Sequence, residues 1–146
     1  MQAKKRSKSF DNKKARFDYH VLDQYEAGIV LNGQEIKAIR ENRVTLSGSY
    51  AKIISGEVFW LGANLGVKTG DQQRTRKLLL KRTEIDKIFG KISKERTQLI
   101  PLKIYLKRGR AKLLLGIGKG KKQSDKRELI KKRDIERENA RNTRIK

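Results

Sequence analysis

The 146-residue sequence predicts a mainly β fold: a small antiparallel barrel with flanking helices and a basic C-terminal tail. Three observations carry that prediction. Short runs rich in β-branched and aromatic residues recur through the middle of the chain, separated by Gly-containing turn pairs. Segments with helical spacing are few and short. The last quarter of the chain is highly charged, with too few apolar residues to dock on a core.

Taken in order, residues 1–11 are polar and basic and read as a flexible arm. From Phe17, "RFDYHVLDQYEAGIVL" is strand-like, with a bend at Gly28. "NGQEIKAIRENR" reads as a short helix capped by Asn32, with Ile36 and Ile39 inward and Glu35, Lys37, Arg40 and Glu41 solvated. "SYAKIISGEVFWLGAN" reads as a hairpin, Tyr50–Ile54 and Val58–Leu61 around Ser55-Gly56, a pair that tolerates positive φ. Residues 65–75 form a polar loop, and "RKLLL" (76–80) a short buried strand. "KRTEIDKIFGKISKE" follows as a helix with Thr83 as N-cap and Ile85, Ile88, Phe89 and Ile92 as its apolar stripe. A second hairpin turns at Arg108-Gly109. In its first strand Leu102, Ile104 and Leu106 alternate with Lys103, Tyr105 and Lys107, one face buried and one wet.

This gives about six strands and two or three helices, and closing the strands on themselves removes exposed edges. Together with the charge, it favours a small oligonucleotide-binding-like antiparallel β-barrel over 12–120, followed by a basic tail over 121–146. A half-open sheet with helices on one side is the alternative. In the tail, Leu129 and Ala140 share a helical face while Ile130, Ile135 and Ile145 point elsewhere. With no stripe to dock, the tail is expected to be unfolded in the free chain and to become helical where a polyanion neutralises it.

Composition narrows the function. Formal charge is +22, from 38 Lys and Arg against 16 Asp and Glu. Residues 1–16 contribute +6 and residues 119–146 contribute +7, which leaves +9 for residues 17–118. The barrel itself is therefore basic, and nucleic acid is the expected partner. No apolar run is long enough to span a bilayer, and the N-terminus lacks the apolar stretch of a secretory signal. The absence of cysteine excludes disulfides and thiolate metal sites and fits a reducing cytoplasm.

Catalytic signals are weak. His20 is the only histidine, so His-based triads and metal sets lack members. Asp18, Asp23 and Glu26 are a poor magnesium set. "GIGKGKK" (116–122) lacks the spacing of a nucleotide-binding P-loop. With the "QSDKR" that follows, it reads as a basic hinge between barrel and tail, its glycines letting backbone N–H groups approach phosphate, or as a solvated linker. "RTRKLLLKR" (74–82) sets Arg74, Arg76, Lys77, Lys81 and Arg82 around one strand as a basic patch. Glu26 is an acid in basic surroundings. It either pairs with a lysine or accepts hydrogen bonds from a base edge or a ribose 2′-OH.

"YEAGIVLNGQEIKAIR", "SY" at 49–50, "GAN" at 62–64, "RTRKLLL" and "GKGKKQSDKR…IKKRD…RENAR" together resemble the small protein B family, the partner of transfer-messenger RNA in bacterial trans-translation. The match runs from about Asn12 to Arg141. The resemblance implies a cytoplasmic, monomeric, non-enzymatic adaptor without cofactor or metal. It would bind the transfer-RNA-like domain of transfer-messenger RNA and deliver it, with elongation factor Tu, to stalled ribosomes. There its tail would probe the small-subunit decoding centre and the empty messenger channel. By the same resemblance, Asn12, Glu26, Arg74, Arg76, Lys77, Leu79, Lys119, Lys121 and Lys122 contact RNA. Asp125, Lys126, Arg127, Lys131, Lys132, Arg133, Arg137 and Arg141 form the ribosome-engaging tail. The 65–73 loop departs from the family in being short and lacking a Pro–Thr pair before Arg74. Two other readings are an RNA-processing enzyme and a structural ribosomal protein.

Overall fold

The computed structural model describes residues 9–67, 70–94 and 96–144. Among the described residues, nine strands and four helices follow one another as β1 (Ser9–Asp11), α1 (Lys13–Asp18), β2 (Tyr19–Ile29), α2 (Gly33–Arg40), β3 (Val44–Thr45), β4 (Tyr50–Ile54), β5 (Glu57–Leu61), β6 (Asn64–Leu65), β7 (Arg76–Leu79), α3 (Arg82–Lys94), β8 (Gln98–Lys107), β9 (Arg110–Gly120) and α4 (Gln123–Arg144). Seven strands make one antiparallel sheet in the order β1-β8-β9-β2-β7-β5-β4, and β3 pairs with β6 apart from it. The sheet curls until β4 lies beside β8, so its inner face closes around one core. That core holds Trp60, Leu78, Ile88, Ile104, Leu113 and Leu115, all at most 2% exposed.

The hairpins form where turn chemistry demands them. Ser55-Gly56 and Arg108-Gly109 all have positive φ, the primed turn that matches strand twist. Helix α2 begins at a complete capping box: Glu35 N–H donates to Asn32 Oδ1 at 2.9 Å, and Asn32 N–H donates to Glu35 Oε1 at 3.0 Å.

Several elements depart from the sequence expectation. Residues Ser9–Asp11, assigned to the arm, pair with β8; residues 1–8 lie outside the described residues. The strand expected from Phe17 begins at Tyr19, because 13–18 form α1, capped by Asn12. Helix α3 starts one residue before Thr83, with Glu84 accepting from the Lys81 N–H, and Phe89 in the supposed inward stripe is exposed. A bulge between Pro101 and Lys103 shifts the phase of β8. Leu102 therefore belongs with Ile100 and Ala15 to a second small core under α1, while Ile104 faces the main one.

The glycine run is not a hinge. Gly116 and Gly118 lie inside β9, and a Cβ on either would come within 2.7 Å of Leu102 Cδ1 or Ile100 Cδ1. Glycine is needed there so that the second core can press onto the strand. The tail, expected to be unfolded when free and helical against a polyanion, is described as helix α4. Its residues are strong helix formers, and Asp125 closes the first turn by accepting from the Lys122 N–H at 3.3 Å. Beyond that turn its described side chains are exposed on every face.

The largest departure is Glu35. It reads as a solvated helix residue, yet it is 1% exposed. Its carboxylate accepts from Arg76 Nε and, at 2.5 Å, from Arg74 Nη2. Arg76, itself 0% exposed, also donates to Ala63 O at 3.2 Å and Gln72 O at 3.0 Å and lies over the Trp60 ring. Burial pushes the Glu35 carboxyl up, but hydrogen bonds from Arg74, the Asn32 backbone and Arg76 bring it below its ordinary value of 4.5. A carboxylate depressed in the folded state stabilises the protein above its unfolded pKa, and that stability is lost as pH falls through the folded value. Urea unfolding at neutral pH is expected to show a loss of about 3–5 kcal/mol for Glu35→Gln, which strands a buried cation. The wild-type advantage is expected to shrink progressively below pH 4.5.

Candidate nucleic-acid interface

Strand alternation sends Lys77 and Leu79 outward from β7 while Arg76 and Leu78 point in. Leu79 pairs with Gly28 of β2, and Gly28 pairs on its other side with Lys112 of β9. Leu79 lies over Gly28 of β2, where a Cβ would touch Leu79 Cβ at 3.4 Å. Leu79 is 53% exposed, a large apolar group displayed on a basic face. Glu26, two residues before Gly28, points the same way.

Around Glu26 the structure assembles groups from the far hairpin. Tyr105 OH donates to Glu26 Oε2, and Lys107 Nζ stands 3.9 Å from Oε1. Lys103 Nζ lies 5.8 Å from the Tyr105 ring centroid. Burial, and then the hydrogen bond to Glu26, push the Tyr105 hydroxyl up to about 12. The tyrosine therefore stays a donor and holds one carboxylate oxygen in place. The other oxygen keeps lone pairs for a base-edge N–H or a ribose 2′-OH. Lysines on either side could neutralise phosphates, and Leu79 could give apolar contact to a sugar or base.

A second basic region lies at the other end of the β2–β9 ladder. His20 there pairs with Lys119, eight residues along β2 from Gly28, about 25 Å away at strand rise. Lys121 is partly spent on structure, its Nζ donating to Arg16 O at 3.0 Å and its N–H to Asp18 O at 2.8 Å. Lys122 is exposed. The first turn of α4 is tied down by Lys126 on Asp18 at 3.1 Å, with the ammonium over the Phe17 ring, and by Asp125 against His20 Nε2 at 3.3 Å. The hydrogen bond from His20 holds the Asp125 carboxyl below its ordinary range. Arg127, Lys131, Lys132, Arg133 and Arg137 are exposed along α4, and the side chain of Arg141 lies outside the described residues.

The carboxylates weighed as magnesium ligands each have their own partner: Asp18 with Lys126, Asp23 with Lys91 and Tyr25, Glu26 with Tyr105. Among the described residues no three His, Cys, Asp or Glu side chains cluster to hold a metal.

The family model for SmpB protein matches residues 9–145. The chain belongs to the SmpB family. It is 52% identical to the SsrA-binding protein of Bacillus pumilus over 133 residues, covering 87% of this chain and 85% of that one. It is 49% identical to the SsrA-binding protein of Cupriavidus taiwanensis over 139 residues, covering 90% and 93%. A chain of the solved structure "tmRNA-SmpB: a journey to the center of the bacterial ribosome" matches with TM-score 0.67 and 39% identity, covering 79% of this chain and 85% of that one.

Two residues taken as RNA contacts on SmpB-family resemblance are internal here. Arg76 is enclosed by Glu35, Ala63 and Gln72, so it shapes the interface from beneath. Asn12 is 4% exposed, and its amide donates to Pro101 O at 2.9 Å and Leu46 O at 3.5 Å while Oδ1 caps α1. Arg74 is half-committed, to Glu35 and to Val30 O at 3.2 Å. Tyr105 and Lys107, on the wet face of "LKIYLK", complete the Glu26 site, the lysine answering the expected acid–lysine pairing and the tyrosine adding to it. Alkaline spectrophotometric titration is expected to show one tyrosine ionising near 12 that falls part of the way toward 10 in Glu26→Gln, since burial of the ring remains.

Proposed function

We propose that this SmpB-family chain is a non-enzymatic RNA-binding adaptor of trans-translation. It holds the transfer-RNA-like domain of transfer-messenger RNA on the outer face of β7, β2, β9 and β8. It presents α4 to the decoding centre and empty messenger channel of a stalled ribosome, so that the nascent peptide is tagged for degradation. Elongation factor Tu joins through the RNA, and the setting is the cytoplasm. One observation supports this reading above the others. Register brings Glu26 and Leu79, far apart in sequence, onto one lysine-bearing face, while the exposed basic helix leaves from the opposite end.

The tail fits the second half of that task. A helix without an apolar stripe gains little from the barrel beyond its first turn, and phosphates all round would fix it along its length. In the free protein the outer turns of α4 fray, and the ribosome orders them.

Binding to the transfer-RNA-like domain, with ordinary transfer RNA as competitor, tests the first half. A clear preference is expected, reduced roughly five- to hundredfold by Glu26→Ala if the carboxylate reads a base edge or a 2′-OH. Equal binding to both RNAs would leave only bulk charge at work. Ending the chain at Lys122 is expected to leave that affinity nearly unchanged and to abolish tagging in a reconstituted stalled-ribosome assay. Equal loss of both would sink the division of labour.

A further inference from the structure

Two sequence blocks, "SY" at 49–50 and "GAN" at 62–64, place no side chain on the interface above. The fold brings them together. Gly62, with φ +77, leaves its Cβ space to the 48–50 backbone and to the edge of the Tyr50 ring, whose Cε1 is 3.8 Å from where that Cβ would stand. The positive φ is what favours glycine at 62, and a Cβ there would make only ordinary contact with the ring. The ring remains 49% exposed and forms one wall of a cleft of about 340 Å³ between α1, the start of β8 and the 46–50 turn. Ala15 and Ile100 give the cleft an apolar floor. Asn12 ties α1 to Leu46 O and Pro101 O and so sets the width of the opening.

The rim is polar and varied. Tyr19 OH donates to Gln98 Oε1 at 2.9 Å, which leaves the amide N–H groups of Gln98 as donors. Asp18 uses Oδ1 on Lys126 and keeps Oδ2 as an acceptor. Lys14, exposed on α1, supplies a cation at the mouth. A flat aromatic wall, an apolar floor, one donor, one acceptor and a phosphate-range cation match an unstacked RNA base. The volume lies at the small end of ligand sites.

We propose that this cleft takes a single extruded RNA nucleobase, stacked on Tyr50 with its edge at Gln98 and Asp18 and its phosphate near Lys14. The inference rests on the RNA-adaptor reading and adds a second recognition point, at the tail end of the ladder rather than at Glu26. The shared chemistry is a splayed base. It comes either from transfer-messenger RNA or from ribosomal RNA beside the root of the tail.

Ultraviolet crosslinking of the full-length wild-type protein, mapped by mass spectrometry, tests it in two complexes: with transfer-messenger RNA alone and on stalled ribosomes. A nucleotide attached at Tyr50 is expected in one of them, and the complex in which it appears names the source. In that complex Tyr50→Ala is expected to weaken binding roughly five- to hundredfold, and Tyr50→Phe by less than about twofold, because stacking needs the ring and not the hydroxyl. No crosslink at Tyr50 in either complex would overturn the inference, as would wild-type binding by Tyr50→Ala in both. If the wild type also fails to prefer transfer-messenger RNA over transfer RNA, the adaptor reading falls too. If that preference stands while the cleft is silent, only the cleft falls.

Discussion

Glu35 and Arg76 place opposite charges inside the barrel wall, and segments far apart in the chain hang on that pair. Glu35 lies in the first turn of α2, Arg76 starts β7, and the guanidinium also gathers the carbonyls of Ala63 and Gln72. Desolvating two charges costs several kcal/mol each, roughly, and is offset only where hydrogen bonds are complete. Here the carboxylate accepts from Arg74, Arg76 and the Asn32 N–H, so its own oxygens are satisfied, while Arg74 Nε is left buried without a partner among the described residues. Holding Arg76 inward fixes the phase of β7. Lys77 and Leu79 must then face out, and Leu79 must lie over Gly28 beside Glu26.

Acids are scarce in this chain, and the structure spends them on position. Asp23 holds Lys91 and the Tyr25 hydroxyl, Asp18 holds Lys126, and Asp125 meets His20. The excess positive charge is thereby left on surfaces that face outward. Such a field attracts RNA from a distance without choosing among RNAs. Selectivity has to come from groups that are not cations, and Glu26, Leu79 and the Tyr50 cleft are of that kind.

Much of the fold was legible because its signals are local. The Ser55-Gly56 and Arg108-Gly109 turns and the Asn32 cap need only a few neighbouring residues. What stayed hidden depends on distant partners. Glu35 at the third helical position looks solvated until two arginines about 40 residues on are placed against it. Helix α1 is six residues long and buries only Ala15, too little for a periodic pattern. The glycines of β9 look like a hinge until Leu102 and Ile100 are seen pressing on them. At the interface, Glu26 stands out as an acid in basic surroundings and Leu79 enters through resemblance, whereas the Tyr105 contact joins residues 79 apart and leaves no local trace.

The β2–β9 ladder runs unbroken in pairing from Tyr19–Gly120 to Gly28–Lys112, save for one bulge between Val21 and Asp23. It works as a rigid strut. RNA held at its far end confines the root of α4 to a small volume at a set offset, rather than leaving it to sweep freely on a tether. Docking of the tail then becomes an intramolecular event at high effective concentration. Individually weak contacts along α4 suffice under that condition, which accounts for a tail that has charge everywhere and no anchoring apolar face.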